Sequence, residues 1–573
     1  MQIPTVTFLL LFGPLRVRKT LARSLICSLV QLLALLSPIA ESKAAAPPVP
    51  IPTPEPRPTQ LPGTMPEIAA PSGPMSLAPS SEVFALSAVS IEGSTIFTEG
   101  LLEPIYHEYL GHRIDMETVR EIVRRISAKY REYGLFLSHA VALPQSLSSG
   151  VLHVHVIEGY VESVTIRGAT PAEEQALHAY MAKLVGERPS RLTTLERAIL
   201  LVKDLPGIAI SPSIAPVDEA DGRYQLVLTI ETVRVSGYAA SDNRGPRYLG
   251  PWEAEASGAA TSVAMPFDQL SAYILTVPNL PRELLAGGIV YDAPIGSDGL
   301  RGSLAVARSS IHPGDYLTSL ELSGVTNNYI ARISDPLLRS RNQSLWVGGA
   351  FNVVDSRENE PRNPVFSDHL RVVRVDATYF ANDGWSGSNK VFAQVSQGLD
   401  ALGASSLGSA NLSTPNGHAV FTKVTGSITR EQPIIGGFGM FVDFAGQKAG
   451  QPLLLSEQFS LGGLRFGRGY DPAQVVGDDA LAGLVEFRYN HGLGGAFLQA
   501  FQIYAFYDLS TVWNISPKNS QRSASLASAG GGVRFALAER FLLSLEVAKP
   551  LTRPLVPDRD KPIRVFARLS KTF

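Results

Sequence analysis

Between Ser460 and Pro472 the chain reads SLGGLRFGRGYDP: four glycines, two arginines and a tyrosine, with neither a helical nor a strand period. The run has the glycine content of a nucleotide loop but not its strand-turn-helix context. No G-x-x-x-x-G-K-[ST] phosphate loop occurs elsewhere. His153 and His155 alternate along one stretch and share a face, a spacing that suits a metal. No third ligand accompanies them, so solvated or packed histidines are the better reading. Asp478, Asp479 and Glu546 read more simply as scattered charges than as a catalytic carboxylate pair. No G-x-S-x-G nucleophile elbow stands out. No enzymatic activity, cofactor or metal is therefore expected. What remains is Arg468, a planar charged fork between two glycines on a flexible arm, suited to a carboxylate partner. Finding that partner requires the elements that position both.

The chain has 573 residues and a formal net charge of -2, which disfavours a nucleic-acid binder with a basic face. Its one cysteine, Cys27, lies in the apolar run SLICSLVQLLALLSPIA, preceded by Arg16, Arg18, Lys19 and Arg23 and followed by ESKAAAPP. This order predicts a secretory signal over residues 1–46, with Ala44 and Ala46 flanking cleavage before Pro47. The basic region begins late, which points to a start downstream of Met1. A single membrane anchor is the alternative, but the run is short and prolines follow it closely. The mature chain would hold no cysteine, excluding disulfides and thiolate metal sites. No later apolar run reaches the roughly 20 residues of a spanning helix. A closed β-barrel, which satisfies its backbone hydrogen bonds internally, is the remaining route into a membrane.

Residues 47–83 are proline-rich and predict an extended tether. No amphipathic helix that could plug a pore is evident there. Residues 84–158 then read β-α-α-β-β: VFALSAVSIEG as a strand, TEGLLEPIYHEYLG as a helix, a second helix capped by Asp115, and the strands LFLSHAVAL and VLHVHVIEG. Val119, Ile122, Val123, Ile126, Tyr130 and Tyr133 mark the second helix's buried face, and Gly134 ends it. Residues 159–232 repeat the same order, which predicts a second module of the same kind.

From Val233 to Phe573 the period becomes two. Leu481, Val485, Phe487 and Tyr489 oppose Glu486, Arg488 and Asn490; Val373, Val375, Ala377 and Tyr379 oppose Arg374, Asp376 and Thr378; Phe541, Leu543, Leu545 and Val547 oppose Ser544 and Glu546. One apolar and one charged face, repeated over three hundred residues, predicts a transmembrane antiparallel β-barrel with a wet lumen and about 16 strands. Short turns such as ALAER alternate with long loops such as NISPKNSQRSAS and TRPLVPDRDKP. The last strand should face lipid with Val565, Ala567, Leu569 and Phe573, with Lys571 reaching for the headgroups.

The chain resembles the outer-membrane transporters of two-partner secretion, the TpsB or haemolysin secretion/activation type (ShlB/FhaC/HecB) of the POTRA-barrel superfamily. LPQSLSSGVLHVHVIEGYVESVTIRG is similar to the junction between its two POTRA modules. SDNRGPRYLG matches its first barrel strand and loop at Asp242, Asn243, Gly245 and Gly250. YDAPIG matches a Tyr-x-x-Pro-x-Gly turn at Tyr291, Pro294 and Gly296. FSLGGLRFGRGYD resembles the sixth extracellular loop, with Arg468, Gly469 and Tyr470 at its core; Gly467 stands where the family commonly has valine. FYDLS matches a strand motif at Phe506 and Asp508, with Ser510 where the family favours glycine. The resemblance implies that the sixth loop folds back into the barrel and meets the strand bearing Asp508. Strand parity supports this, because Phe501, Ile503, Ala505, Tyr507 and Leu509 form an apolar face and Asp508 lies on the lumen side. Arg468 is thus expected to pair with Asp508, a wet lumen reducing the pair to about 1–2 kcal/mol. An ordinary surface-loop arginine beside an unrelated lumen aspartate is the alternative. The family implies POTRA modules in the periplasm that receive an exported partner protein, haemolysin- or adhesin-like, and a barrel in outer-membrane lipid that passes it to the surface, with no nucleic acid involved. An assembly or insertion factor of the same superfamily is the competing reading, and a diffusion porin, which needs no periplasmic modules, a weaker one.

Overall fold

The computed structural model describes residues 83–516, 521–555 and 559–573; the expected secretory signal and nearly all of the expected proline tether lie outside them. In the first module, α1 (Glu99–Tyr106) and α2 (Met116–Glu132) cover a three-stranded sheet in which Val151–Ile157 lies between Ala88–Glu92 and His139–Val141. The stretch expected as one N-terminal strand is two: Phe84–Ala85 pairs with Arg113–Ile114, and only Ala88–Glu92 joins the sheet, in parallel with Val151–Ile157. Asp115 caps α2, its carboxylate accepting from the Thr118 amide at 2.9 Å. Val119, Ile122, Ile126 and Tyr130 are fully buried in the module core. Tyr133, expected beside them, is 56% exposed. It follows the last helical residue, where the backbone has left helical geometry and the 3.6-residue phase no longer aims the side chain inward.

The next segment repeats the topology. The strand Arg223–Thr232 lies between Tyr160–Arg167, to which it is parallel, and Ile208–Asp218, under α3 (Pro171–Val185) and α4 (Leu192–Lys203). Thr170 and Glu173 form a reciprocal capping box at the start of α3, satisfying amides that the helix leaves open. A core of Val161, Leu177, Met181, Leu195, Ile199, Leu226 and Leu228 closes between helices and sheet.

From Val235–Asp242 to Arg564–Thr572, sixteen antiparallel strands close into a barrel. The last strand pairs with the first over five positions, Arg568↔Asp242 through Thr572↔Tyr238. The alternation anticipated from sequence turns this barrel inside out. Val375, Leu481, Phe487 and Val547 are exposed outward, while Asp376, Glu486, Asp508 and Glu546 are buried in the lumen. Val565, Leu569 and Phe573 are exposed on the last strand, and the Lys571 ammonium lies over the Phe541 and Phe573 rings.

The second module is fastened to the near end of the barrel. Asp204 takes both arms of the Arg339 guanidinium at 2.7 and 2.8 Å. Glu173 takes Arg234 at 2.5 and 3.0 Å, and Lys183 reaches Asp298 at 2.5 Å. Phe267, from the first of these turns, is buried in the module core.

Candidate functional site

The connection after the strand Phe438–Ala449 is the sixth loop at the far end. It runs over residues 450–478 before the strand Asp479–Gly492 begins. Its small hairpin, Phe459–Leu461 against Val475–Gly477, carries the glycine-rich tip. Gly462, Gly463 and Gly467 have φ of 106°, 96° and 74°, conformations that side chains disfavour. At Gly469 the requirement is space: a Cβ there would stand 2.8 Å from the Pro550 nitrogen and 2.9 Å from the Lys549 carbonyl carbon. These glycines let the loop fold inward, burying Leu461, Phe466, Arg468 and Tyr470.

Asp508, at 0% exposure on the strand Leu498–Trp513, meets this loop, but not through a guanidinium. Its carboxylate accepts from the amides of Gly467 at 2.9 Å and Arg468 at 3.1 Å, and from the Ser528 hydroxyl at 2.6 Å. The Arg468 side chain passes on to Glu486 Oε2 at 2.6 Å and Glu546 Oε2 at 3.0 Å, and lies over the Phe506 ring at 4.3 Å. The expected Arg468–Asp508 side-chain pair is thus corrected: Asp508 holds the backbone of the turn, and two glutamates hold the arginine. Parity places all three carboxylates inside. Register decides among them, because Glu486 lies opposite Phe506, two residues along from Asp508, where the extended arginine ends.

The expected screening by a wet lumen is corrected as well. Arg468 and Glu486 keep only 6% and 1% of their side-chain surface. Arg534 and Arg488 also reach Glu486, at 2.9 and 2.6 Å, and Arg244 reaches Glu546 at 2.7 Å. Four guanidinium groups therefore converge on two carboxylates, and the Tyr504 hydroxyl donates to Glu546 at 2.7 Å.

The other expected residues fall into two groups. Gly469 and Tyr470 belong to the lock: the Gly469 amide donates to Ser528 at 3.1 Å, and the Tyr470 hydroxyl accepts from the Thr552 and Arg553 amides at 3.1 and 3.0 Å, tying in the eighth loop. Asp242 and Asn243 belong to the seam between first and last strands. Asp242 pairs with Arg568. The Asn243 amide donates to the Val565 carbonyl at 3.0 Å and accepts from the Ala567 amide at 2.8 Å, continuing the ladder where the first strand has ended. Gly245 sits against Glu253 in the first loop. Tyr291 donates to Asp268 at 2.8 Å, and Pro294 and Gly296, the latter with φ 73°, end that strand and turn the chain. His153 and His155 do not approach a third ligand; among the described residues no group of three such side chains could hold a metal.

Glu486, Glu546, Ser528 and the pairing of Glu457 with Arg374 and Lys423 near the loop's start were not singled out as anchors from sequence. The signal for Glu486, Glu546 and Ser528 was present only as inward parity on separate strands; Glu457 lies in a short turn of the loop, where no parity applies.

Residues 84–159 match the ShlB-type POTRA domain model, and residues 226–535 match the haemolysin secretion/activation protein ShlB/FhaC/HecB model. The chain is 22% identical to the outer membrane transporter CdiB of Dickeya dadantii over 69% of its own length and 70% of that protein's. The match to CdiB of Escherichia coli, also 22% identical, spans only 32% of that relative's length. Among solved structures, CdiB from Escherichia coli aligns with a TM-score of 0.68 at 18% identity, over 88% of this chain and 93% of that one. CdiB from Acinetobacter baumannii aligns with 0.60 at 16% identity, over 97% and 98%. BamA from Haemophilus ducreyi lacking POTRA domains 1–3 aligns with 0.51 at 14% identity, over 86% and 100%, a likeness of fold. A family model covering more than half of the chain, on a closed barrel with a locked sixth loop, places it: the chain belongs to the haemolysin secretion/activation family of ShlB, FhaC and HecB.

Proposed function

We propose that this chain is the transporter of a two-partner secretion pair: it receives an exported partner protein in the periplasm through its modules and passes it through the barrel to the cell surface. The barrel is an outer-membrane barrel, with its POTRA region on the periplasmic side. The observation that supports the proposal is the arrangement itself: two three-stranded sheets, each with its helices, precede a closed barrel whose lumen holds an anchored loop, and we take them as the modules 84–158 and 159–232. Both modules act as POTRA domains, the first as the receptor. Each sheet leaves an edge strand to which an extended peptide of a haemolysin- or adhesin-like partner can add. The first module's core is built from residues between 84 and 156 and holds no barrel residue, so that module can be removed without the barrel wall. Arg468, Gly469, Tyr470, Phe506 and Asp508, with Glu486 and Glu546, hold the sixth loop in an export-competent position.

The test is deletion of residues 84–158. The barrel should keep its heat-modifiable gel mobility while the partner disappears from the medium. Undiminished export from a folded deletion protein would remove the receptor role.

A further inference from the structure

Seven short turns join strands at the periplasmic end of the barrel, and they divide by chemistry. The first three, around Phe267, Asp298 and Arg341, touch the second module: Phe267 in its core, Asp298 through Lys183, and Arg341 through Glu196 at 3.0 Å. The seventh holds Glu539 and Arg540. The fourth, fifth and sixth are neighbours along the rim, joining consecutive strands of the barrel between Pro364–Asn382 and Leu498–Trp513. Their tips bear Trp385, Ile435 and Phe497 at 82%, 77% and 72% exposure, the three most exposed large apolar residues among those described. Turns 434–437 and 493–497 contain no charged residue, and the one charge of turn 383–387, Asp383, is taken up by its own turn amides, Asn389 and Arg430.

Such an apolar arc on water would be a liability, and contiguous exposed patches mark interaction sites. Its continuity with the strands says which partner covers it. Directly above the fifth and sixth turns, Phe438, Tyr489, His491 and Phe501 form a chain of ring contacts, with centroids 4.8, 6.2 and 5.4 Å apart. Phe438 and Tyr489 are register partners, as are His491 and Phe501. Phe487, Ile503 and Tyr507 continue the exposed apolar face up the same strands. A ring of aromatic side chains below an apolar wall marks the depth of the lipid headgroups. Phe438 is adjacent to Gly437, and Leu493 follows His491 by two residues, so on this side the fifth and sixth turns leave the girdle without an intervening polar step.

We propose that these three turns are a lipid anchor, with Trp385, Ile435 and Phe497 held among the headgroups of the periplasmic leaflet, on the arc away from the turns that carry the second module. The anchor holds the barrel's periplasmic rim against the membrane where no module supports it. It is independent of the identity of any exported partner.

The chain's four tryptophans are Trp252, Trp346, Trp385 and Trp513, so the triple variant W252F/W346F/W513F leaves one reporter at a tip. The full-length protein is reconstituted in phosphatidylethanolamine–phosphatidylglycerol vesicles doped with phosphatidylcholine brominated near the headgroup or near the chain end. Trp385 emission should shift to the blue, lose intensity most with the shallow bromines, and resist acrylamide. Free quenching by acrylamide with no response to either lipid would overturn the anchor and leave the arc to a protein partner or to water. Should the triple variant fail to show heat-modifiable mobility, a nitroxide on C27S/I435C decides, compared with one on C27S/E539C in the charged turn. Relaxation by oxygen should dominate at position 435 and relaxation by a water-soluble nickel chelate at 539. Equal nickel access at both would refute the proposal.

Discussion

The periplasmic modules and the barrel are built by opposite rules. In the modules the apolar side chains meet in the centre, as Val119 and Leu195 do, and, apart from Glu173 at the joint with the barrel, charge lies outside. In the barrel the apolar side chains face outward, and the buried groups include Arg468, Glu486, Asp508 and Glu546. The backbone needs the same satisfaction in both places, so the difference is set by the solvent on the outer face. Where that solvent is lipid, burying the apolar residues inside would gain nothing, and the interior is left to charges that must pair with one another. Exposure therefore means different things in the two regions, and a charged group in the lumen has fewer alternatives to its partner than one on a module surface.

The largest break in that comparison should come from the lumen. Arg468→Ala leaves Glu486 and Glu546 short of one guanidinium at a site with almost no water, a loss of about 3–5 kcal/mol for a buried pair. The ladders of the wall do not pass through this residue, so the barrel should still assemble and export should fall far more than abundance. A double-mutant cycle on export should couple Arg468→Ala strongly to Glu486→Gln and weakly to Asp508→Ala, because Asp508 contacts the amides, which alanine retains. Strong coupling to Asp508 alone would contradict the observed geometry.

A middle-sized effect comes from two residues of similar exposure. Leu143 in the first module is 54% exposed and Val375 on the barrel is 60% exposed. Leu143→Arg should change stability by less than about 0.5 kcal/mol, since its neighbour is water. Val375→Arg, within the long strand Pro364–Asn382, should cost about 2–4 kcal/mol, since its neighbour is hydrocarbon. Urea midpoints of the two variants in lipid vesicles compare them directly, and equal shifts would refute the inside-out reading.

The smallest effect lies at the joint between the two regions. The hydrogen-bonded Arg234 guanidinium is the largest influence holding the Glu173 carboxyl down, to about 2 from its ordinary 4.5. A carboxylate depressed in the folded state contributes stability above its unfolded pKa, and that contribution fades between about pH 4.5 and pH 2 as it protonates. Arg234 is partly exposed, so solvent screening limits the pair to about 1 kcal/mol. Proteolysis near residues 232–235 should accelerate as the pH falls through that window in the wild type. In Glu173→Gln it should be raised already at pH 7 and be insensitive to this titration; an unchanged profile would show that the pair does not fasten the joint.

Much of this molecule was legible in its sequence. The period of two from Val233 onward, with charges on one parity and apolar residues on the other, specified a membrane barrel, because a strand's faces alternate whatever its neighbours are. The helical spacing from Val119 to Tyr130 fixed a buried helix face for the same kind of local reason, failing at Tyr133 where the helix had ended. Parity also placed Asp508 in the lumen, and the glycines around Arg468 announced an arm able to enter it. The choice of partner was beyond such reasoning. Whether Arg468 meets Asp508, Glu486 or Glu546 depends on the stagger between three strands on different stretches of the chain, and on how far an extended guanidinium reaches once the turn's backbone is pinned. Parity assigns a face, but only strand register assigns a depth, and register is set by the hydrogen-bonded closure of the whole barrel.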